Sequence, residues 1–132
     1  MANSVIVLTN QSELSYTSDA VKGDGYYGFA DGLQTMSFHV SNFTGRIYLE
    51  ATLMETPESG DWFLIDLDQE NPYLEFTEQT TTQGTTFQGN FVYLRVRIDR
   101  DYLNAGAYDQ MTHGIVDKAV LLIWINTQKR GE

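Results

Sequence analysis

Two stretches of this chain alternate so regularly that they all but set the fold class. From Arg46 to Leu53, Ile47, Leu49, Ala51 and Leu53 fall on one side, and Arg46, Tyr48, Glu50 and Thr52 on the other. From Val92 to Asp99 the pattern returns, with Val92, Leu94, Val96 and Ile98 set against Tyr93, Arg95, Arg97 and Asp99. A period of two puts one face in a core and one in solvent, which is the pattern of a half-buried β-strand. Each stretch follows a Phe-x-Gly corner, Phe43-Thr44-Gly45 and Phe87-Gln88-Gly89. Neither brings a cluster of reactive groups, so they speak to fold rather than to chemistry.

The rest of the chain continues the β pattern in shorter pieces. Val5–Leu8 reads as a buried strand and Leu14–Thr17 as a second, with Asn10-Gln11-Ser12 between them. Met36, Phe38 and Val40 alternate with Thr35, Ser37 and His39. Trp62–Leu67, with Phe63, Ile65 and Leu67 on one face, pairs with the preceding strand across a turn holding Pro57 and Gly60. Tyr73–Thr77 is a short strand, Gln79–Gly84 a polar connection, and Thr85–Gln88 a further strand. Arg100–Gly114 is irregular, with room for one helical turn near Tyr102-Leu103. Ile115–Ile125 is apolar on both faces in its second half, which suits a central strand covered on both sides or one at a subunit contact. About eight or nine short strands in 132 residues predict an all-β fold, a single β-sandwich of jelly-roll type over residues 1–126 with a polar tail at 127–132.

Charge and cysteine content narrow the function. The formal net charge is −10. Phosphate contacts dominate nucleic-acid affinity, so the acidic balance speaks against nucleic acid and equally against an anionic membrane as partner. With no Cys, neither a disulfide framework nor a thiolate zinc site can form. The first ten residues lack basic side chains and have four consecutive apolar ones, which predicts neither a signal peptide nor a membrane span.

Candidate chemistry is sparse. His39 and His113 are the two histidines, and neither sits in a catalytic motif. Asp24 and Asp31 flank a Gly-rich loop, and Asp61, Asp66, Asp68 and Glu70 gather in sequence, but their spacing matches no EF-hand. Solvated carboxylates account for them better than a metal ion. The expectation is no enzyme, no cofactor and no metal site. Asn10-Gln11-Ser12 and Asn42-Phe43-Thr44 match the glycosylation acceptor but are read as chance occurrences. Two segments stand out as contact surfaces. Within Gly23–Gly32, four glycines surround Tyr26, Tyr27 and Phe29, large side chains suited to an interface core or to stacking on a sugar. In the last strand, Leu121, Ile123, Trp124 and Ile125 supply more apolar surface than one buried face requires.

The order of several motifs carries a resemblance. Gly25-Tyr26-Tyr27-Gly28-Phe29-Ala30-Asp31-Gly32-Leu33-Gln34-Thr35 precedes Phe43–Leu53, followed by Asp61-Trp62-Phe63, Phe87–Arg95 and Gly114-Ile115-Val116-Asp117-Lys118. Over about residues 22–125 this series resembles small virion structural proteins of T4-like tailed bacteriophages, the cyanophage type above all. The resemblance implies a particle component of the neck, tail, baseplate, fibre or head surface, made in the bacterial cytoplasm and located in the virion. Its partners would be other virion proteins and further copies of itself, and it supplies no catalytic residues. The alternative is a carbohydrate-binding module for host-surface recognition, with a glycan as ligand. Small sandwiches host both functions, so an exposed aromatic platform or an apolar protein contact must decide between them.

Overall fold

The two alternating stretches become strands and pair with each other. Ile47 lies opposite Ile98, Leu49 opposite Val96 and Ala51 opposite Leu94, and all six side chains are fully buried. The computed structural model describes residues 2–23, 26, 33–67, 72–100 and 113–124. Eight strands run through them: β1 (Ala2–Gln11), β2 (Ser15–Thr17), β3 (Val21–Lys22), β4 (Leu33–Thr52), β5 (Phe63–Ile65), β6 (Tyr73–Gln88), β7 (Tyr93–Asp99) and β8 (Ile115–Trp124). All their pairings are antiparallel. The fold is all-β, as the alternation predicts.

β4 is the spine. Its first half pairs with β8 on one side and β6 on the other; its second half pairs with β7 on one side and with β6 and then β5 on the other. The result is two layers joined through continuous strands. The first runs β1–β8–β4–β6, and the second runs from β2 and β3 through β7 to β4, with β5 and the start of β6 beyond. One core cluster lies between them, and the sheet wraps toward closure where β1 approaches β7. Strands that pass from one layer to the other at bends or bulges are a known way to build a sandwich corner.

The corner has an identifiable cause. Asn42 in β4 and Glu78 in β6 both adopt left-handed backbone angles, at φ 49° and 47°. The register shifts on either side of Phe43. Two threonines stitch the bend reciprocally: Asn42 N–H donates to Thr80 Oγ1 at 2.8 Å, and Glu78 N–H donates to Thr44 Oγ1 at 2.9 Å. The shift also switches the parity of the buried positions, from Met36, Phe38 and Val40 to Phe43, Ile47 and Leu49. Phe43 then packs edge-on against Phe76 at 5.7 Å between centroids.

The Phe-x-Gly corners are explained by rings that rest on the glycines. A Cβ on Gly45 would meet the Phe43 ring at 2.8 Å and the Arg100 stem at 2.9 Å. A Cβ on Gly89 would collide with the ring of Phe91, which follows it, rather than with Phe87. The two corners look alike in sequence, but the ring comes from opposite directions along the chain.

Several expectations need correction. The segments around Phe38 and Leu49 form one strand of 20 residues, not two. Gln79–Gly84 is not a connection but the middle of β6, because threonine is β-branched and main-chain pairing to β4 needs no apolar face. Leu53 is 62% exposed: β4 ends at Thr52, whose carbonyl accepts from Val92 N–H at 2.9 Å, so the alternation outlasts the pairing by one residue. Val92 precedes β7 and is half-buried, and Phe63 on the short β5 is exposed. Arg100–Gly114 and the tail fall largely outside the described residues.

Candidate functional site

The outward face of the β1–β8–β4–β6 layer follows from the register. Met36 and Leu121 are opposite one another and fully buried, so the neighbours of each along its own strand point away from the core. Three rows cross the layer: Ser4, Leu122, Thr35 and Thr86; then Ile6, Val120, Ser37 and Gly84; then Thr9, Lys118, His39 and Thr82. Ile6 is 58% exposed and Leu122 39% exposed, with Val120 beside them. Beyond this apolar patch lies a hydroxyl field. Thr35 and Thr86 share a hydrogen bond at 3.0 Å, and the His39 ring is spanned by Ser37 Oγ at Nε2 and Thr82 Oγ1 at Nδ1, each 3.2 Å away. In a chain of net charge −10, these rows hold no carboxylate, and Lys118 supplies their one fixed charge.

The Ser37–His39 contact has a hydroxyl, not a carboxylate, on the second ring nitrogen. A Ser-His nucleophile needs a third group that orients the imidazole and a cleft that holds substrate. Here a threonine hydroxyl occupies the other ring nitrogen on an open sheet face, and the Asp117 carboxylate accepts from Ser41 instead. Among the described residues no group of three His, Asp or Glu side chains is placed to hold a metal ion.

The outward face of the other layer is a lattice of cations on rings. Arg97 sits over Tyr48 at 4.2 Å, Arg46 over Tyr73 at 4.6 Å, Arg95 over Trp62 at 4.1 Å and Lys22 over Tyr26 at 4.5 Å. Glu50 accepts from Arg95 Nε at 2.7 Å and from Arg97 Nε at 3.2 Å. Arg46 Nε donates to Glu75 Oε2 at 3.1 Å, and this hydrogen bond holds the Arg46 guanidinium pKa above its ordinary value. The aromatic platform that a sugar would need is present, but these four rings each carry a cation of the chain itself. A stacking sugar would have to displace it, at a cost of roughly 0.5–1 kcal/mol per exposed contact.

The predicted contact residues divide. Tyr26 is exposed, tilted against Tyr93 at 5.6 Å between centroids, and lines a shallow depression of about 420 Å³ with Glu55, Val92 and Tyr93. Tyr27, Phe29 and Ile125 lie outside the described residues. Ile123 and Trp124 take register positions opposite Asn3 and Ala2 in β8. Leu121 is corrected: it is fully buried against the core, and the outward apolar positions of β8 are Val120 and Leu122. β8 is central, flanked by β1 and β4, yet its second face is open among the described residues.

Ile6 was hidden in the sequence within the continuous run Val5–Leu8. The register shift between Ile6 and Leu8 lets Val7 and Leu8 both turn inward and leaves Ile6 outward. A second exposed apolar group, Leu53, Met54, Phe63 and Leu64, lies at the β4–β5 end. No protein-family model matches this chain, and no curated protein is significantly similar to it.

Proposed function

We propose that the chain is a structural component of a bacteriophage particle, a sandwich of jelly-roll type that acts through contacts with other virion proteins and with copies of itself. The observation that carries this reading is the outward face of the first layer. Ile6, Val120 and Leu122 form an apolar patch that continues into hydroxyl rows free of carboxylates, with Lys118 as their one charge, on a chain whose net charge is −10. A face kept free of carboxylates on an acidic chain suits burial against protein, because no unpaired negative charge loses its water there. The phage setting comes from the resemblance of the motif series around Tyr26, Phe43, Trp62, Phe87 and Gly114.

The carbohydrate-binding alternative is less well supported, because Tyr26, Tyr48, Trp62 and Tyr73 are each covered by Lys22 or an arginine. Quantitative mass spectrometry of purified particles tests the proposal. The chain should be present at a fixed multiple of a symmetric particle component. Absence from particles, together with glycan binding abolished by Tyr48→Ala or Tyr73→Ala, would replace the structural reading with the alternative.

A further inference from the structure

We propose that two copies of this chain pair through residues 79–87 of β6, antiparallel and about a two-fold axis, so that the β1–β8–β4–β6 layer of one copy runs on into that of the other. This pairing rests on the assembly reading above and names its partner.

Three observations converge on that strand. First, β6 pairs with β4 along its length, and among the described residues no strand lies on its other side. Second, from Thr81 to Gln88 it pairs one-for-one with Val40 to Leu33, without a register shift. Third, no charged residue and no proline occurs from Gln79 through Leu94, in a chain where 20% of residues are charged. Edge strands are ordinarily protected against self-association by charge, proline or a bulge. The opposite edge of the layer has such a device: β1 breaks register between Ile6 and Leu8, and Asn10 is left-handed at φ 51°. β6 from Thr81 to Gln88 has none.

Charge leaves this edge open to a second copy. Two copies at −10 repel as they approach, and an uncharged edge is where that repulsion is least. A two-fold axis makes the new pairing antiparallel, the arrangement β6 already has with β4. It also sets threonine rows against threonine rows, and the Thr35–Thr86 hydrogen bond at 3.0 Å shows this sheet forming such a pair.

The test uses charge on both copies. Thr82 and Gln83 are exposed and point to opposite faces of β6, so one substitution on each covers either register. T82K/Q83K and T82E/Q83E would be measured by sedimentation equilibrium and native mass spectrometry, alone and as an equimolar mixture, with circular dichroism as the folding control. The wild-type chain is expected to dimerise. Each variant alone should show a Kd raised about tenfold or more, since like charges face each other across the axis. Mixing should restore dimers, each with one copy of either variant, which only a segment that meets itself can produce. If a double variant does not fold, Gln83→Lys and Gln83→Glu serve in its place. A monomeric wild-type chain at millimolar concentration overturns the proposal. So does a dimer unaffected by the variants, or one not restored by mixing, because another surface then makes the contact. In either case, particle incorporation that still depends on Ile6 and Leu122 would leave the assembly reading standing without the β6 pairing.

Discussion

Glu50 on β4 stands directly opposite Arg95 on β7, and Arg95 Nε donates to Glu50 Oε1 at 2.7 Å. The other carboxylate oxygen takes Arg97 Nε at 3.2 Å. Glu50 keeps 13% of its side chain exposed and Arg95 26%, so the pair is better shielded than an ordinary surface contact. A double-mutant cycle on Glu50→Gln and Arg95→Met should give a coupling of about 1 kcal/mol, the top of the range for exposed pairs. Coupling near zero in chemical denaturation would mean that the two side chains are solvated separately.

The core should respond according to burial. Leu49→Ala removes a fully buried side chain opposite Val96 and should cost about 2–5 kcal/mol. Val96→Asp would bury a carboxylate beside Leu49 and should prevent folding. Leu53→Ala should change stability by less than about 0.5 kcal/mol, because Leu53 is exposed beyond the end of β4. Equal losses for Leu49→Ala and Leu53→Ala, read by urea denaturation, would show that β4 extends further than described.

Gly114 has φ 69°, and a Cβ there would run into the Asn42 and Ser41 carbonyls. Gly114→Ala should therefore destabilise by more than about 2 kcal/mol, combining left-handed strain with a clash against main chain. Gly60→Ala meets open space and should be neutral. A thermal melt of the two variants checks the contrast.

The corner threonines should act as a pair. Thr44→Ala and Thr80→Ala each leave one main-chain N–H of a left-handed residue without its hydroxyl acceptor. Each should cost about 0.5–1.5 kcal/mol. Thr→Ser at the same positions should recover most of it, and full loss with serine would point to packing of the methyl group instead.

What could be read from the sequence was whatever repeats with period two. The alternation over Arg46–Leu53 and Val92–Asp99 points to the class, and it placed Ile47, Leu49, Leu94, Val96 and Ile98 in the core correctly. The joins between strands were not legible. Asn42 and Glu78 bend their strands without ending them, and nothing in Ser41-Asn42 or Glu78-Gln79 distinguishes a left-handed bend from a turn. Gln79–Gly84 looked like a loop because it is polar, yet a strand at the rim of a sheet needs hydrogen bonds more than an apolar face. Within Leu121–Ile125 the excess of apolar residues does not say which of them faces outward. Parity put Leu121 inside and Leu122 outside, and the bulge that exposes Ile6 leaves no mark in Val5–Leu8.

Hydroxyl-radical footprinting reads the exposure of individual side chains and so tests most directly the proposal that the first layer's outward face is buried in an assembly. The isolated chain would be compared with the same chain in purified particles. Ile6 and Leu122 are exposed in the free chain and should lose most of their reactivity in the particle. Unchanged reactivity at both residues, or particles that lack the chain, would contradict it.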